Sequence, residues 1–152
     1  MRRVLLTGMS GTGKSTALAE LARRGFDVVD TDEPGWKEDR HGEEIWREHE
    51  MTDLLARERE RTLYVSGCVA NQGRFYDRFD AVVLLSAPAD VLLARIESRT
   101  TNAFGKSPHE RGRVLADHAA VEPLLRATCT HELDTTRPLD DVVEELVAIG
   151  GG

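Results

Sequence analysis

Gly8-Met9-Ser10-Gly11-Thr12-Gly13-Lys14-Ser15 decides how this chain is read. The spacing, a glycine, four residues, then Gly-Lys-Ser, is that of a loop built to hold phosphate. Several phosphate oxygens must meet backbone N–H groups at once, which curls the chain tightly. Glycines permit the dihedrals and keep side chains out of the way. The helix expected to start at Lys14 points its free N–H groups and partial positive charge at the same oxygens. Lys14 then reaches the β- and γ-phosphates, and the Ser15 hydroxyl is placed to ligate Mg²⁺. Gly8, Ser10, Gly11, Thr12, Gly13, Lys14, Ser15 and Thr16 are therefore the candidate nucleotide-binding residues, with Mg-ATP the expected ligand. A glycine-rich turn between a strand and a helix is the plainer alternative, yet the spacing arises by chance in roughly one chain in a few hundred.

Working outward, the loop has the neighbours it needs. Arg3–Thr7 reads as a strand before it. Lys14–Arg24 reads as a helix after it, with Ala17, Leu18, Leu21 and Ala22 on one face and Gly25 as a stop. The same alternation continues along the chain. Phe26–Asp30, Thr62–Ser66, Ala81–Ser86 and Thr130–Leu133 are short apolar runs, while Ala89–Arg99 and Leu139–Ile149 carry helical stripes. Strands alternating with helices imply parallel pairing and a sheet covered on both faces. The expectation is a single three-layer α/β/α domain over 1–152 with about five parallel strands, a count taken from the alternation. Ligands of such sheets gather at the carboxyl ends of the strands. Two stretches break the rhythm: the charged 32–61, with Trp36, Ile45, Trp46, Leu54 and Leu55 as its apolar points, and the polar 100–113.

Composition narrows the function. Acidic residues outnumber basic ones 27 to 20, and the net charge of -7 argues against a nucleic-acid partner held by broad phosphate neutralisation. The amino-terminal apolar run is too short for a signal peptide, and no stretch reaches the ~20 apolar residues of a membrane span. Two cysteines, Cys68 and Cys129, then read as reduced thiols of a cytoplasmic protein. The five histidines show no metal spacing.

With the loop and its frame in place, the chain resembles the small P-loop kinases among AAA-family ATP-binding proteins, the group of shikimate, gluconate and nucleoside-monophosphate kinases. The resemblance runs over nearly the whole length. It implies a P-loop NTPase fold with strand order 2-3-1-4-5, and transfer of the ATP γ-phosphoryl group to a small-molecule acceptor. Val28-Val29-Asp30-Thr31-Asp32 resembles the Asp-x-Asp of shikimate and gluconate kinases. By that resemblance Asp30 takes the metal side, and Asp32 the acceptor side as the base. A solvated acidic turn is the plainer reading of the pair. The third strand ends Val65-Ser66-Gly67-Cys68, without the terminal Asp that motors and GTPases need for Mg²⁺, and this favours a kinase. Gly67 would let an acceptor approach the backbone, Arg74 could bind an anionic one, and Trp36, four residues beyond Asp32, could stack on it. Ala87–Arg99 resembles the helix leading into the lid of these kinases, with 100–113 as lid and 32–61 as acceptor segment. Arg95 and Arg99 lead the candidates for stabilising the transferring phosphoryl group, with Lys106 and Arg111 behind them. Arg137 and Pro138 fall where such kinases contact adenine.

The resemblance also has gaps. At Val121-Glu122-Pro123-Leu124-Leu125 the arginine that shikimate kinases use for the acceptor carboxylate is Val121, which makes shikimate an unfavoured acceptor. A nucleoside monophosphate or another hydroxylated metabolite remains. The competing reading is an ATP- or GTP-hydrolysing regulatory protein, or a nucleotide-binding module with no acceptor. The oligomer expected is a monomer or a homodimer.

Overall fold

A computed structural model describes residues 1–98 and 107–152. The strands of its main sheet are β1 (Arg3–Thr7), β2 (Asp27–Asp30), β5 (Leu63–Ser66), β6 (Ala81–Ser86) and β7 (His131–Asp134), all parallel. They lie in the order β2-β5-β1-β6-β7. With the two strands of a separate hairpin set aside, that is the second-third-first-fourth-fifth order that the resemblance to the small P-loop kinases implies. The helices are α1 (Lys14–Arg23), α2 (Glu48–Ala56), α3 (Ala89–Ser98), α4 (Pro108–Thr128) and α5 (Leu139–Ile149).

Both faces of the sheet are covered, so its central strands β5, β1 and β6 run apolar for most of their length rather than alternating, while the edge strands β2 and β7 also carry half-buried or exposed polar residues. Val4, Leu6, Tyr64, Val83 and Leu85 meet Leu18 and Leu21 of α1 and Val142, Val143 and Leu146 of α5. On the other face Leu5, Leu63, Val65 and Val82 meet Met51, Leu54 and Leu55 of α2, with Trp46, Phe75 and Phe79. A smaller cluster packs Met9 and Leu84 against Leu92 of α3 and Leu125 of α4.

Segment 32–61 departs from expectation. It opens with an antiparallel hairpin of β3 (Lys37–Arg40) and β4 (Glu43–Trp46), with Trp36 just before the first strand and Trp46 the last residue of the second. Arg40 pairs directly with Glu43, and His41 and Gly42 both have positive φ, 55° and 82°. That is the two-residue turn whose twist matches a hairpin. Trp46 is fully buried, edge-on to Phe75, and its backbone is clamped by Asn71, which accepts from the Trp46 amide and donates to its carbonyl at 2.8 and 3.1 Å.

Of the segment read as a lid, 100–106 lies outside the described residues. The remainder is the start of a 21-residue helix, α4. Ser107 caps it: its hydroxyl accepts from the Glu110 amide and donates to the Glu110 carboxylate, with Pro108 in the first turn.

Candidate functional site

The loop after β1 turns through three glycines, Gly8, Gly11 and Gly13, that no other residue could replace freely. Gly8 has φ 151°, and a Cβ there would overlap the Leu85 carbonyl oxygen of β6. Gly13, the N-cap of α1, is left-handed at φ 96° and offers no side chain to the helix N-terminus. The first amides of α1 are left for a ligand. Thr12, fully buried, closes the loop on itself by donating its hydroxyl to the Met9 carbonyl at 2.9 Å. Lys14 folds back over the curl, its ammonium donating to the Gly8 and Met9 carbonyls at 2.5 and 3.0 Å.

The loop opens onto a cleft of about 750 Å³, within the usual size of a small-molecule site. It is lined by Ser10, Gly11, Gly13, Lys14, Ser15 and Thr16 of the loop and the start of α1, by Asp30 and Asp32, and by Arg95, Thr135, Arg137, Leu139 and Val142. Residues separated by more than a hundred positions thus meet because most sit at the carboxyl ends of parallel strands or the helix starts that follow them, with Arg95 added from the last turn of α3.

The two aspartates are placed by hydrogen bonding around Thr31. Asp30 lies level with Ser66 on β5. Its Oδ1 accepts the Asp32 amide at 2.9 Å, which turns the chain just beyond the strand. Thr31 between them is fully buried. It donates its amide and its hydroxyl to the Ser66 carbonyl at 3.1 and 2.7 Å, and its hydroxyl oxygen accepts the Trp46 indole N–H at 3.0 Å. Asp32 is exposed and takes the Lys37 ammonium on Oδ1 at 2.8 Å.

Arg95 reaches across the cleft rather than standing ready as a separate charge. Its guanidinium donates to the Gly11 carbonyl at 3.1 Å and to the Thr135 hydroxyl and carbonyl at 2.9 and 2.5 Å. It ties the rim of the phosphate loop to the loop after β7. That second loop is held in turn by Thr135, which donates its amide to the Ser86 carbonyl at 2.9 Å. The hydroxyl and amide of Thr136 hold Asp134 below the ordinary carboxylate range. Arg137, exposed, pairs with Glu145 at 3.0 Å, and Pro138 is the N-cap of α5.

Other candidates from the sequence fall elsewhere. Gly67 is buried beneath the hairpin: a Cβ there would overlap the Thr31 hydroxyl and come within 3.1 Å of the Trp46 ring. It is a packing glycine in this structure, closed to an approaching molecule. Arg74, on a 3-10 helix spanning Gln72–Arg78, is exposed and paired with Glu48 at 3.1 Å, away from the cleft lining. Trp36 and Glu33 line an adjoining depression, which shares Ser15 and Asp30 with the cleft. Arg99 and Lys106 lie outside the described residues, and Arg111 pairs with Glu97 at 3.0 Å. The sequence reading passed over Thr31, Lys37 and Thr135; only Thr31 had a visible signal, its place between the aspartates.

The donor set suits Mg²⁺. Ser15 and Asp30 present hard oxygen ligands to the cleft beside the loop, and Mg²⁺ in such sites typically takes one or two carboxylates and completes its shell with phosphate and water. Among the described residues no cluster of three or more His, Cys, Asp or Glu forms a metal cage, and no helix is long and apolar enough to cross a membrane.

Residues 4–115 match the family described as AAA domain. No curated protein matches the chain in sequence. Among solved structures it is similar to a shikimate kinase from Acinetobacter baumannii in complex with shikimate, at 16% identity and TM-score 0.66, over 98% of this chain and 92% of that one. It is similar to a gluconokinase from Sinorhizobium meliloti 1021 at 19% identity and TM-score 0.56, over 99% and 91%. A third, TT1252 from Thermus thermophilus, aligns at 19% identity and TM-score 0.63, over 97% and 95%. At these identities the likeness is one of fold.

Proposed function

The chain belongs to the AAA domain family, and on that premise we propose that it is a kinase transferring the γ-phosphoryl group of Mg-ATP to a hydroxyl of a small acceptor. The observation that carries the proposal is one cleft lined by the phosphate loop and by both Asp30 and Asp32. A site that only bound nucleotide would have no use for a second carboxylate held apart from the first.

In this reading the triphosphate lies along the loop, its oxygens taking the first amides of α1. Lys14 exchanges its bonds to the Gly8 and Met9 carbonyls for the β- and γ-phosphate oxygens. Ser15 and Asp30 would hold Mg²⁺, which when bound would neutralise charge on the transferring phosphoryl group. Asp32 accepts the proton of the acceptor hydroxyl as its oxygen bonds to the γ-phosphorus. The bond from that phosphorus to the β,γ-bridging oxygen breaks, and ADP leaves. Arg95 keeps the rims of the cleft at fixed separation, and its charge also faces the phosphates. Arg137 and Pro138 flank the adenine end.

The test is ADP release with ATP alone and then with nucleoside monophosphates, nucleosides, sugar acids and aminoglycoside-like acceptors. Acceptor-dependent release supports the proposal; equal release without any acceptor makes the protein a hydrolase and sinks it. Asp32→Asn lowers acceptor-dependent kcat by roughly 10²–10⁴-fold, the usual contribution of a general base, with ATP affinity held. Loss of ATP binding instead would move Asp32 to the metal side.

A further inference from the structure

We propose that Lys37 is the positioning residue of the acceptor site, holding the Asp32 carboxylate at the mouth of the cleft with one oxygen engaged and the other free for the acceptor hydroxyl. The inference rests on the kinase reading.

Three observations support it. Lys37 is bonded to two carboxylates at once, Asp32 at 2.8 Å and Glu44 at 3.2 Å. Its side chain is 20% exposed, whereas those of Asp32 and Glu44 are 64% and 65% exposed. The cation is thus the fixed point of the trio, and the carboxylates are the arms that would otherwise swing in solvent. A long exposed side chain loses conformational entropy when fixed, so an Asp on a turn stays in one rotamer only where something holds it.

The holder is itself held. Lys37 stands opposite Trp46 in the hairpin register, and Glu44 is its diagonal neighbour on the same face. Trp46 is pinned through its indole to Thr31 and through its backbone to Asn71, and the Arg47 amide donates to the Trp36 carbonyl at 2.8 Å. The hairpin base is therefore fastened to the same Thr31 that separates Asp30 from Asp32. Lys37 closes the ring, from Asp32 through Thr31 and Trp46 and back across the hairpin.

Oδ1 of Asp32 takes the ammonium, and Oδ2 has no hydrogen-bond partner among the described residues. A base so divided presents one lone-pair edge in a fixed direction, which a freely rotating carboxylate does not. Burial pulls the Lys37 pKa down, but its bonds to Asp32 and Glu44 outweigh burial and leave it raised, so the ammonium stays charged through the neutral range. That charge also offsets the repulsion between Asp30, Asp32 and Glu33 and an arriving triphosphate.

The experiment compares Lys37→Met, Lys37→Arg and Asp32→Asn in the full chain, using the most active acceptor of the panel above. Lys37→Met is expected to lower acceptor kcat by about tenfold while the KM for ATP stays within about twofold, and Lys37→Arg to recover most of the loss. Melting temperatures control for damage to the hairpin. A Lys37→Met enzyme with kcat within twofold of wild type overturns the inference, as does a Lys37→Arg enzyme no better than Lys37→Met. Should Asp32→Asn itself retain full activity, it is the role of Asp32 in the proposed reaction that fails, whatever the Lys37 variants do.

Discussion

Gly67→Ala adds one methyl group at the place where the hairpin meets the sheet, and its effect can be worked from the contacts. The new Cβ would overlap the Thr31 hydroxyl and lie 3.1–3.2 Å from two atoms of the Trp46 indole. Gly67 has no positive φ, so backbone strain adds nothing. Neither neighbour can yield cheaply: Thr31 is bonded to Ser66 and Trp46, and Trp46 is fully buried. Overpacking of this kind costs about 1–3 kcal/mol. If Thr31 rotates away, the buried indole N–H loses its acceptor for about another 1–3 kcal/mol. A combined loss of about 2–6 kcal/mol lowers Tm by roughly 4–24 °C in a chain of this size. Thermal melts and urea titrations read the loss, and a Thr31→Ala, Gly67→Ala double variant reads its cause. Removing the Thr31 hydroxyl removes the clash, so the double variant is less destabilised than the sum of the singles by about 0.5–3 kcal/mol. ATP affinity is unchanged in all three, because Gly67 does not line the cleft. A Gly67→Ala protein that melts within about 2 °C of wild type yet loses acceptor turnover would refute this reasoning and make Gly67 an acceptor-facing glycine.

Two further outcomes follow from the same structure. Tyr64 is fully buried, its hydroxyl donates to the Leu146 carbonyl at 2.8 Å, and burial pushes its pKa up from 10.0 to about 12. The unfolded chain therefore ionises first as pH rises, so stability is complete below pH ~10 and is lost as pH climbs towards ~12; Tyr64→Phe flattens that alkaline decline in urea titrations run across the range. Asp30→Asn keeps an oxygen to accept the Asp32 amide, so the turn survives, but it removes the metal-side charge. It should raise the Mg²⁺ concentration for half-maximal turnover about tenfold or more without lowering Tm by more than ~2 °C, and an unchanged Mg²⁺ requirement would remove Asp30 from the metal site.

The donor half of the site could be read from the sequence because phosphate is recognised by backbone amides, which need a contiguous stretch of permissive residues. Gly8 to Ser15 is such a stretch, and the alternating runs around it marked five parallel strands, while their order came only with the resemblance to the small P-loop kinases. The acceptor side is built differently. Lys37 lies five residues beyond Asp32, a separation with no helical or strand periodicity, and the loop between β2 and β3 brings the two together. Glu44 reaches Lys37 through the hairpin turn His41-Gly42, where an Asn or Asp before the glycine would have been the stronger sign. The start of α4 was legible and passed over: Ser107-Pro108-His109-Glu110 has the capping-box spacing, hidden because no apolar stripe follows it at once. Arg95 is a different case. Its position was visible, but its attachment to Gly11 and Thr135 depends on a loop some forty residues on.

The missing carboxylate at the end of β5 has a physical cause in the hairpin. β5 finishes at Ser66, whose carbonyl is taken twice by Thr31. The next position is Gly67, where even a Cβ has no room beneath Thr31 and Trp46. An aspartate there would have to displace the tryptophan that fastens β4 to the sheet. A fold that closes β5 with this hairpin therefore cannot also carry an acidic residue at position 67. The nearest position level with Ser66 that still faces the cleft is Asp30, its partner in register on β2. Under the kinase reading, metal ligation moves one strand outward for that reason, and Asp32 follows it towards the hairpin. The same packing that forbids the carboxylate on β5 thus supplies, through Trp46 and Lys37, the frame that holds the second one.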